Sequence, residues 1–235
     1  MLAGDSEGSL LFFKSPETLP GRECVFELIK KYPNMHRIGV IKILVVLYEN
    51  FIFTISYDQQ VKGFDGTNGN EFFCMKNPNK SIYTGMYWDR DFQELYVSDA
   101  NGYVGVIKVI VERPLFWQKM VKERILDIEL VESLRRLILI TSSAIKIYKV
   151  ERGVKTHEIV GHTDSIINIV TLEGPKSHSV NTEDEAKIIS ASVDNTIRLW
   201  DVKDLLCINM MHSPAKSEIW FQKLLTYFLI AQCVF

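Results

Sequence analysis

Short apolar runs return along this chain with a spacing of about 40 residues, each return keeping the same internal order of runs and turns. "FIFTISYDQQVKGFD" and "KIISASVDNTIRLWD" show the pattern most clearly. Runs such as "VIKILVVLY", "ELYVSD", "YVGVIKVIV", "LILITSS", "AIKIYKV" and "SIINIVTL" are rich in Ile, Val, Leu, Phe and Tyr. Their length of about five to nine residues and their β-branched content predict strands. Asn-, Asp- and Gly-bearing turns such as "YDQQ", "DANG" and "VDN" join them in hairpins. The chain reads as all-β. One segment, "KMVKERILDIELVESLRRLILI" (119–140), has the helix formers and Glu–Arg spacing of a helix. Only its neighbours, which need two strands there to keep the order, argue for strand, and the choice stays open.

Superposing the repeats places Ser56 on Ser192, Asp58 on Asp194, Phe64 on Trp200 and Asp65 on Asp201, with His36 upstream as His162 is. "VSDANGYVGVIKV" fits the frame with Asn101 at the Asp position and Ile107 at the Trp position. "ITSSAIKIYKV" fits with Tyr148 at the Trp position and neither Asp nor His. "LAGDSEGSLLFFK" at the start corresponds to the middle of a unit that lacks its first part.

The stretch "VGHTDSIINIV…KIISASVDNTIRLWDV" resembles a WD repeat, opened by Gly161–His162 and closed by Trp200–Asp201. The resemblance covers nearly the whole chain, but only 161–211 carries the full motif. It implies a WD-repeat β-propeller, or part of one, built from four-stranded antiparallel blades in a single domain over 1–235. Full blades would run over 36–78, 81–118, 124–160 and 162–211, with partial ones at 1–28 and 212–235. The two partial pieces could close a five-bladed ring; the preferred expectation is a longer protein or a truncated gene model, since an open propeller leaves unpaired faces.

Ser, His and Asp in one unit invite comparison with a hydrolase. The resemblance implies instead a structural tetrad, in which Trp200, Ser192, His162 and Asp194 form one hydrogen-bonded chain inside a blade. From the residues alone, Asp194 sits in a tight turn where a carboxylate can hold backbone N–H groups. Ser192 lies in an alternating strand, without the Gly-x-Ser-x-Gly elbow that exposes a nucleophile. No catalytic residue is expected. His36, Ser56, Asp58 and Phe64 form a degenerate tetrad, because Phe64 has no N–H to donate. The blades at 81–118 and 124–160 are expected to be held by packing alone.

Lys plus Arg number 27 against 29 Asp plus Glu, a net charge of -2, which gives no global pull towards nucleic acid or an anionic membrane. Cys24, Cys74, Cys207 and Cys233 lie in or beside apolar runs with no CxxC, and read as small core residues in a reducing compartment. The N-terminus lacks the pattern of a signal peptide. The apolar "LLTYFLIAQCVF" is about 12 residues, short of the roughly 20 of a membrane span, and reads as a buried strand. "DGTNGNE" (65–71) lacks the spaced carboxylates of a calcium loop and reads as a turn between strands. His157, His178 and His212 share no metal-ligand spacing, so neither metal nor cofactor is expected. "ERPLFWQKMVKER" mixes aromatic and basic residues but reads as an outer strand.

The polar loop "EGPKSHSVNTEDEAK" (173–187) is the candidate partner surface, through Glu173, Lys176, His178, Asn181, Glu183, Asp184 and Glu185. The expected function is a non-catalytic protein-interaction scaffold in a multi-subunit complex, without a small-molecule substrate, nucleic acid or membrane as partner. The expected setting is the cytoplasm, and the long divergent repeats are similar to those of large ciliary and flagellar (axonemal, cytoskeletal) WD-repeat proteins. An alternative is the substrate-receptor subunit of a cullin-RING ubiquitin ligase. Trp200–Asp201–Val202–Lys203 resembles the tail of that docking motif, although Arg is usual where Lys203 stands.

Overall fold

The computed structural model describes residues 1–14, 26–111, 113–150, 154–172 and 186–212. They form β-strands and one short 3-10 turn, Val109–Val111, with no α-helix among them. Two compact units arise, Met1–Lys119 and Met120–Phe235, and each is described by itself.

The first unit holds three sheets. One has three strands, β1 (Leu2–Gly4), β2 (Leu10–Lys14) and β3 (Glu27–Tyr32). The next runs β4 (Val40–Val46), β5 (Phe51–Ser56), β6 (Gln60–Asp65) and β7 (Glu71–Lys76). The third runs β8 (Tyr83–Asp89), β9 (Glu94–Asp99), β10 (Tyr103–Lys108) and β11 (Arg113–Lys119). The second unit holds two four-stranded sheets. These are β12 (Ile125–Val131), β13 (Arg136–Thr141), β14 (Ile145–Lys149) and β15 (Val154–Ile159), then β16 (Ile166–Leu172), β17 (Lys187–Ser192), β18 (Thr196–Asp201) and β19 (Cys207–His212). Every sheet is an antiparallel meander in chain order.

The segment 119–140, left open between helix and strand, supplies β12 and β13. In β12 Asp127 and Glu129 alternate with buried Ile128 and Leu130, and in β13 Leu137 to Ile140 are all buried, so burial of the apolar set outweighs local propensity. "DGTNGNE" is the connection from β6 to β7, where the Asp65 carboxylate accepts the Thr67 N–H at 2.7 Å. The aromatic-basic segment forms β11, an edge strand. The C-terminal apolar stretch, Cys24 and Cys233 lie outside the described residues. No helix among the described residues is long and apolar enough to cross a membrane.

The register repeats together with the sequence. In each four-stranded sheet a shift falls just inside the first strand, at Val40/Lys42, Tyr83/Gly85, Ile125/Asp127 and Ile166/Asn168. A second falls between the third and fourth strands, at Gly63/Phe64, Val106/Ile107, Ile147/Tyr148 and Leu199/Trp200. Phe64, Ile107, Tyr148 and Trp200 are therefore equivalent in three dimensions as well as in sequence. The turn into the third strand puts Gly8, Gln59, Gly102 and Asn195 at positive φ in the matching place. The third sheet to be described as four-stranded, β12–β15, departs: Ile140 pairs Ile145, whereas Ala191 pairs Ile197, so its turn is one residue shorter.

The cores are apolar. The first unit gathers Phe53, Ile55, Val61, Phe73, Met86, Trp88, Leu95, Val97 and Ile107. The second gathers Ile138, Ile140, Ile145, Ile147, Ile166, Ile188 and Trp200. Cys74 and Cys207 do not join them; both are exposed. They stand on the fourth strands, which are sheet edges, so the apolar neighbours that suggested a core position share a strand open to solvent on its outer side.

On β10, Gly105 pairs with Trp117 of the edge strand, and a Cβ there would stand 2.1 Å from the indole carbons. Gly105→Ala should cost about 1–3 kcal/mol through forced displacement of Trp117. Urea unfolding followed by tryptophan fluorescence reads it, and an unchanged midpoint would disprove the close approach.

Candidate functional site

The polar side chains singled out by the sequence meet at the turn between the second and third strands. In β16–β19, Trp200 Nε1–H donates to Ser190 Oγ at 2.7 Å, and Ser190 Oγ lies 2.7 Å from His162 Nε2. His162 Nδ1 lies 2.9 Å from Asp194 Oδ2. A carboxylate only accepts, so Nδ1 carries the imidazole proton and Nε2 receives the serine O–H. Direction is thus set along the whole chain, from indole to hydroxyl to imidazole to carboxylate.

The serine in that chain is Ser190, not Ser192 as expected. Trp200 pairs with Ile188, so position 190 is its diagonal neighbour on the same face, within reach of a long side chain. Position 192 lies roughly two pleats farther, about 7 Å, at the strand end. Ser192 has another duty. Its hydroxyl lies 2.9 Å from both the Asp164 and Ser165 carbonyls and receives the Asp194 N–H at 3.2 Å, tying the approach to β16 against the turn.

The sheet β4–β7 repeats this arrangement, and repeats the correction. His36 Nδ1 lies 3.0 Å from Asp58 Oδ2, and His36 Nε2 lies 2.7 Å from Thr54 Oγ1, so Thr54 rather than Ser56 is the hydroxyl partner. Ser56 braces the Ile38 and Gly39 carbonyls at 2.9 Å each, as Ser192 braces its pair. Phe64 occupies the indole position, and nothing donates to Thr54 from there. The size change is absorbed beside the histidine. A Cβ on Gly161 would stand 2.7 Å from Trp200 Cη2, whereas Met35, its counterpart, packs against the cluster of Leu10, Ile52 and Phe64. Gly161 leaves the room that the larger indole fills.

Each aspartate gathers donors. Asp194 accepts from His162, the Thr163 and Thr196 N–H groups and the Thr196 hydroxyl. Asp58 accepts from His36 and the Arg37 and Gln60 N–H groups. Burial opposes ionisation at both, but these bonds prevail and hold both carboxyls below the usual range. For His162 and His36 the balance falls the other way. Burial disfavours the imidazolium more than the adjacent carboxylate favours it, so both stay neutral to lower pH than a free histidine.

The sheets at 81–118 and 124–160 are not held by packing alone. In the first, Asp99 Oδ1 accepts the Asn101 and Tyr103 N–H groups, and Oδ2 accepts from Asn77 and Asn79. In the second, Glu123 accepts from Ser143 at 2.9 Å and from Lys146 at 2.7 Å, and the bonds from Lys146 and Ser143 lower its carboxyl below the ordinary value. Tyr148, at the indole position, donates to the Met120 carbonyl at 3.2 Å. The sequence signal for the missed hydroxyls lay in the residue two before the brace. It is Thr54 or Ser190 in the units with a histidine, but Val97 and Leu139 in those without.

Chemically, Ser190–His162–Asp194 has the connectivity of a hydrolytic triad. Its serine, however, is fully buried, with one lone pair taken by the indole N–H, whereas a nucleophile must meet substrate. Lys203 is exposed in a turn in which Asp201 Oδ1 accepts the N–H groups of Lys203 and Asp204. The candidate partner residues Glu173, Lys176, His178, Asn181, Glu183, Asp184 and Glu185 lie outside the described residues.

No protein-family model matches the sequence, and no curated protein matches it. Among solved structures, the chain is similar to the crystal structure of the computationally designed Ika8 protein in its crystal packing No. 1 in P63, with a TM-score of 0.63 and 14% identity. The match covers 89% of this chain and 57% of the designed one, and at that identity it carries the fold alone.

Two outcomes follow from the network. Ser190→Ala strands both the indole N–H and His162 Nε2, while Thr54→Ala strands only His36 Nε2. At about 1–3 kcal/mol per buried orphan, the first should cost roughly twice the second, and Ser192→Ala should leave the Trp200 indole N–H resonance unmoved. Urea midpoints and nitrogen-15 spectra check both, and equal costs would contradict the chain of donors. Second, the unfolded chain takes up protons below the free histidine value of 6.5 that folded His36 and His162 refuse. Stability present above that pH should fall on acidification, with a further loss below 3.8 as the aspartates protonate. Thermal midpoints between pH 8 and 5 that stay flat, or rise, would contradict it.

Proposed function

We propose that this chain is part of a WD-repeat β-propeller that serves as a non-catalytic protein-interaction scaffold. The observation that carries the reading is the double occurrence of one buried motif at one register. His36–Thr54–Asp58 and His162–Ser190–Asp194 occupy equivalent places in separate sheets. A catalytic centre is needed once, whereas a fastening is needed in each unit. Both hydroxyls are fully buried, which suits a fastening and not a nucleophile. The Gly-His and Trp-Asp ends of the last unit add the family resemblance.

In this reading the sheets are blades, and the partners are proteins of a larger assembly, held by loops at the blade ends. The segment 173–187, read from its sequence as a polar loop, is the first such candidate, with its acidic run Glu183–Asp184–Glu185 suited to a basic partner surface. Similarity of the long divergent repeats to ciliary and flagellar WD-repeat proteins supports a cytoskeletal assembly as the setting.

The test uses the 235-residue chain as bait for cross-linking in ciliated cells. Replacing 174–185 by a Gly-Ser linker should remove specific cross-linked partners while leaving the unfolding midpoint within about 0.5 kcal/mol. Unchanged partners would sink the loop assignment. Labelling of Ser190 by a serine-directed activity probe would sink the scaffold reading itself. Co-purification of a cullin adaptor that disappears in Lys203→Ala would transfer the chain to the ligase-receptor reading.

A further inference from the structure

Away from the histidine networks, the aromatic core of the first unit opens into a cavity of about 340 Å³. Phe51, Phe72 and Trp88 wall it, with Val109 and Ile110 at its other side and Glu49 and Gln93 as polar members. Ile110 is 73% exposed, so the cavity reaches solvent. Phe51 and Phe72 have centroids 4.7 Å apart, and the planes of Phe51 and Trp88 meet at 88°, which makes a corner of rings. Phe53 stacks on Trp88 at 5.3 Å and keeps its indole in place.

Two buried polar atoms among these lining residues have no partner, Glu49 Oε2 and Trp88 Nε1. Both atoms are closed off from solvent, so the open cavity presents its ring surfaces and the charge of the Glu49 side chain rather than these two atoms. The nearby cations are directed elsewhere. Arg90 lies over the Tyr48 ring at 3.9 Å, and Lys108 bonds the Phe92 carbonyl and faces Glu94. The lining therefore carries one carboxylate and no basic side chain.

We propose that this cavity binds a methylated ammonium group. The aromatic faces and Glu49 attract positive charge, and the apolar walls require that the charge be clothed in CH groups and weakly hydrated. A bare ammonium lacks the apolar surface, and an anion would meet Glu49. The volume lies at the small end of ligand cavities, which suits a headgroup or one side chain. The same trimethylammonium chemistry comes from a free quaternary amine such as choline or from a trimethylated lysine side chain. Neither was anticipated by the sequence, which gave no reason to place Glu49 beside Trp88.

The test is titration of the nitrogen-15-labelled chain with choline chloride and with its neutral isostere, 3,3-dimethylbutan-1-ol, following the Trp88 indole resonance. Choline should saturate with a dissociation constant of about 1 mM or tighter, and the isostere should bind at least about tenfold more weakly. Glu49→Gln should lose about tenfold for choline and leave the isostere unchanged, with the remaining amide spectrum superposing on that of the parent. Equal binding of the two probes, an unaffected Glu49→Gln, or no saturable shift would each overturn the proposal. A trimethyllysine peptide binding more tightly than choline assigns the site to a partner's side chain, and the reverse order assigns it to a free amine.

Discussion

A carboxylate gathers hydrogen-bond donors at a strand-joining turn in each sheet, and the rest of the arrangement depends on it. Asp194 and Asp58 each take a histidine ring and backbone N–H groups from two segments distant in sequence. Asp99 takes two backbone N–H groups and two asparagine amides, and Glu123 a serine and a lysine. In the three-stranded sheet Asp5 accepts the Glu7 and Ser9 N–H groups and faces Lys31 at 3.2 Å. An antiparallel meander leaves backbone donors unpaired at its turns. A carboxylate is an acceptor with capacity to satisfy several at once.

The histidines extend that fastening inward. A neutral imidazole has one donor and one acceptor, so it converts an acidic end into a demand for a hydroxyl. Thr54 and Ser190 answer it, and only Ser190 has an indole N–H behind it. The two networks thus differ by two donors, the Trp200 indole N–H and the Thr196 hydroxyl on Asp194. The Met35–Phe64 and Gly161–Trp200 pairs show the apolar surroundings adjusting to that difference at nearly constant volume. The units without histidine lose the carboxylate at that position and draw one from elsewhere, Asp99 from the end of β9 and Glu123 from before β12, which is how a repeat can drift in sequence and keep its meander.

Rigid sheets with their polar ends locked leave recognition to loops and to the cavities between core and surface. On the proposed propeller reading, those are the parts free to vary without loosening a blade. The cavity at Glu49 and Trp88 is of that kind. It is walled by core aromatics packed against one another, and it carries the carboxylate of Glu49.

The periodic runs and the equivalence of Phe64, Ile107, Tyr148 and Trp200 were legible in the sequence, because each follows from spacing along one strand or across one short turn, whereas the His36–Asp58 and His162–Asp194 pairings, 22 and 32 residues apart, were legible through the family resemblance. Strand at 125–141 was half legible, since local propensity and neighbouring pattern disagreed there and core burial decided. The serine was not legible. Alternation puts Ser190 and Ser192 on the same face, and Thr54 and Ser56 likewise, so period alone cannot rank them. Cross-strand register does, by setting Trp200 opposite Ile188 and giving the inner hydroxyl to the indole and the outer one to the turn. Sequence by itself determined which residue types lie on which face of each strand. Only the tertiary structure decided which of two identical groups met which partner, because that choice is a distance between strands and not a spacing along one.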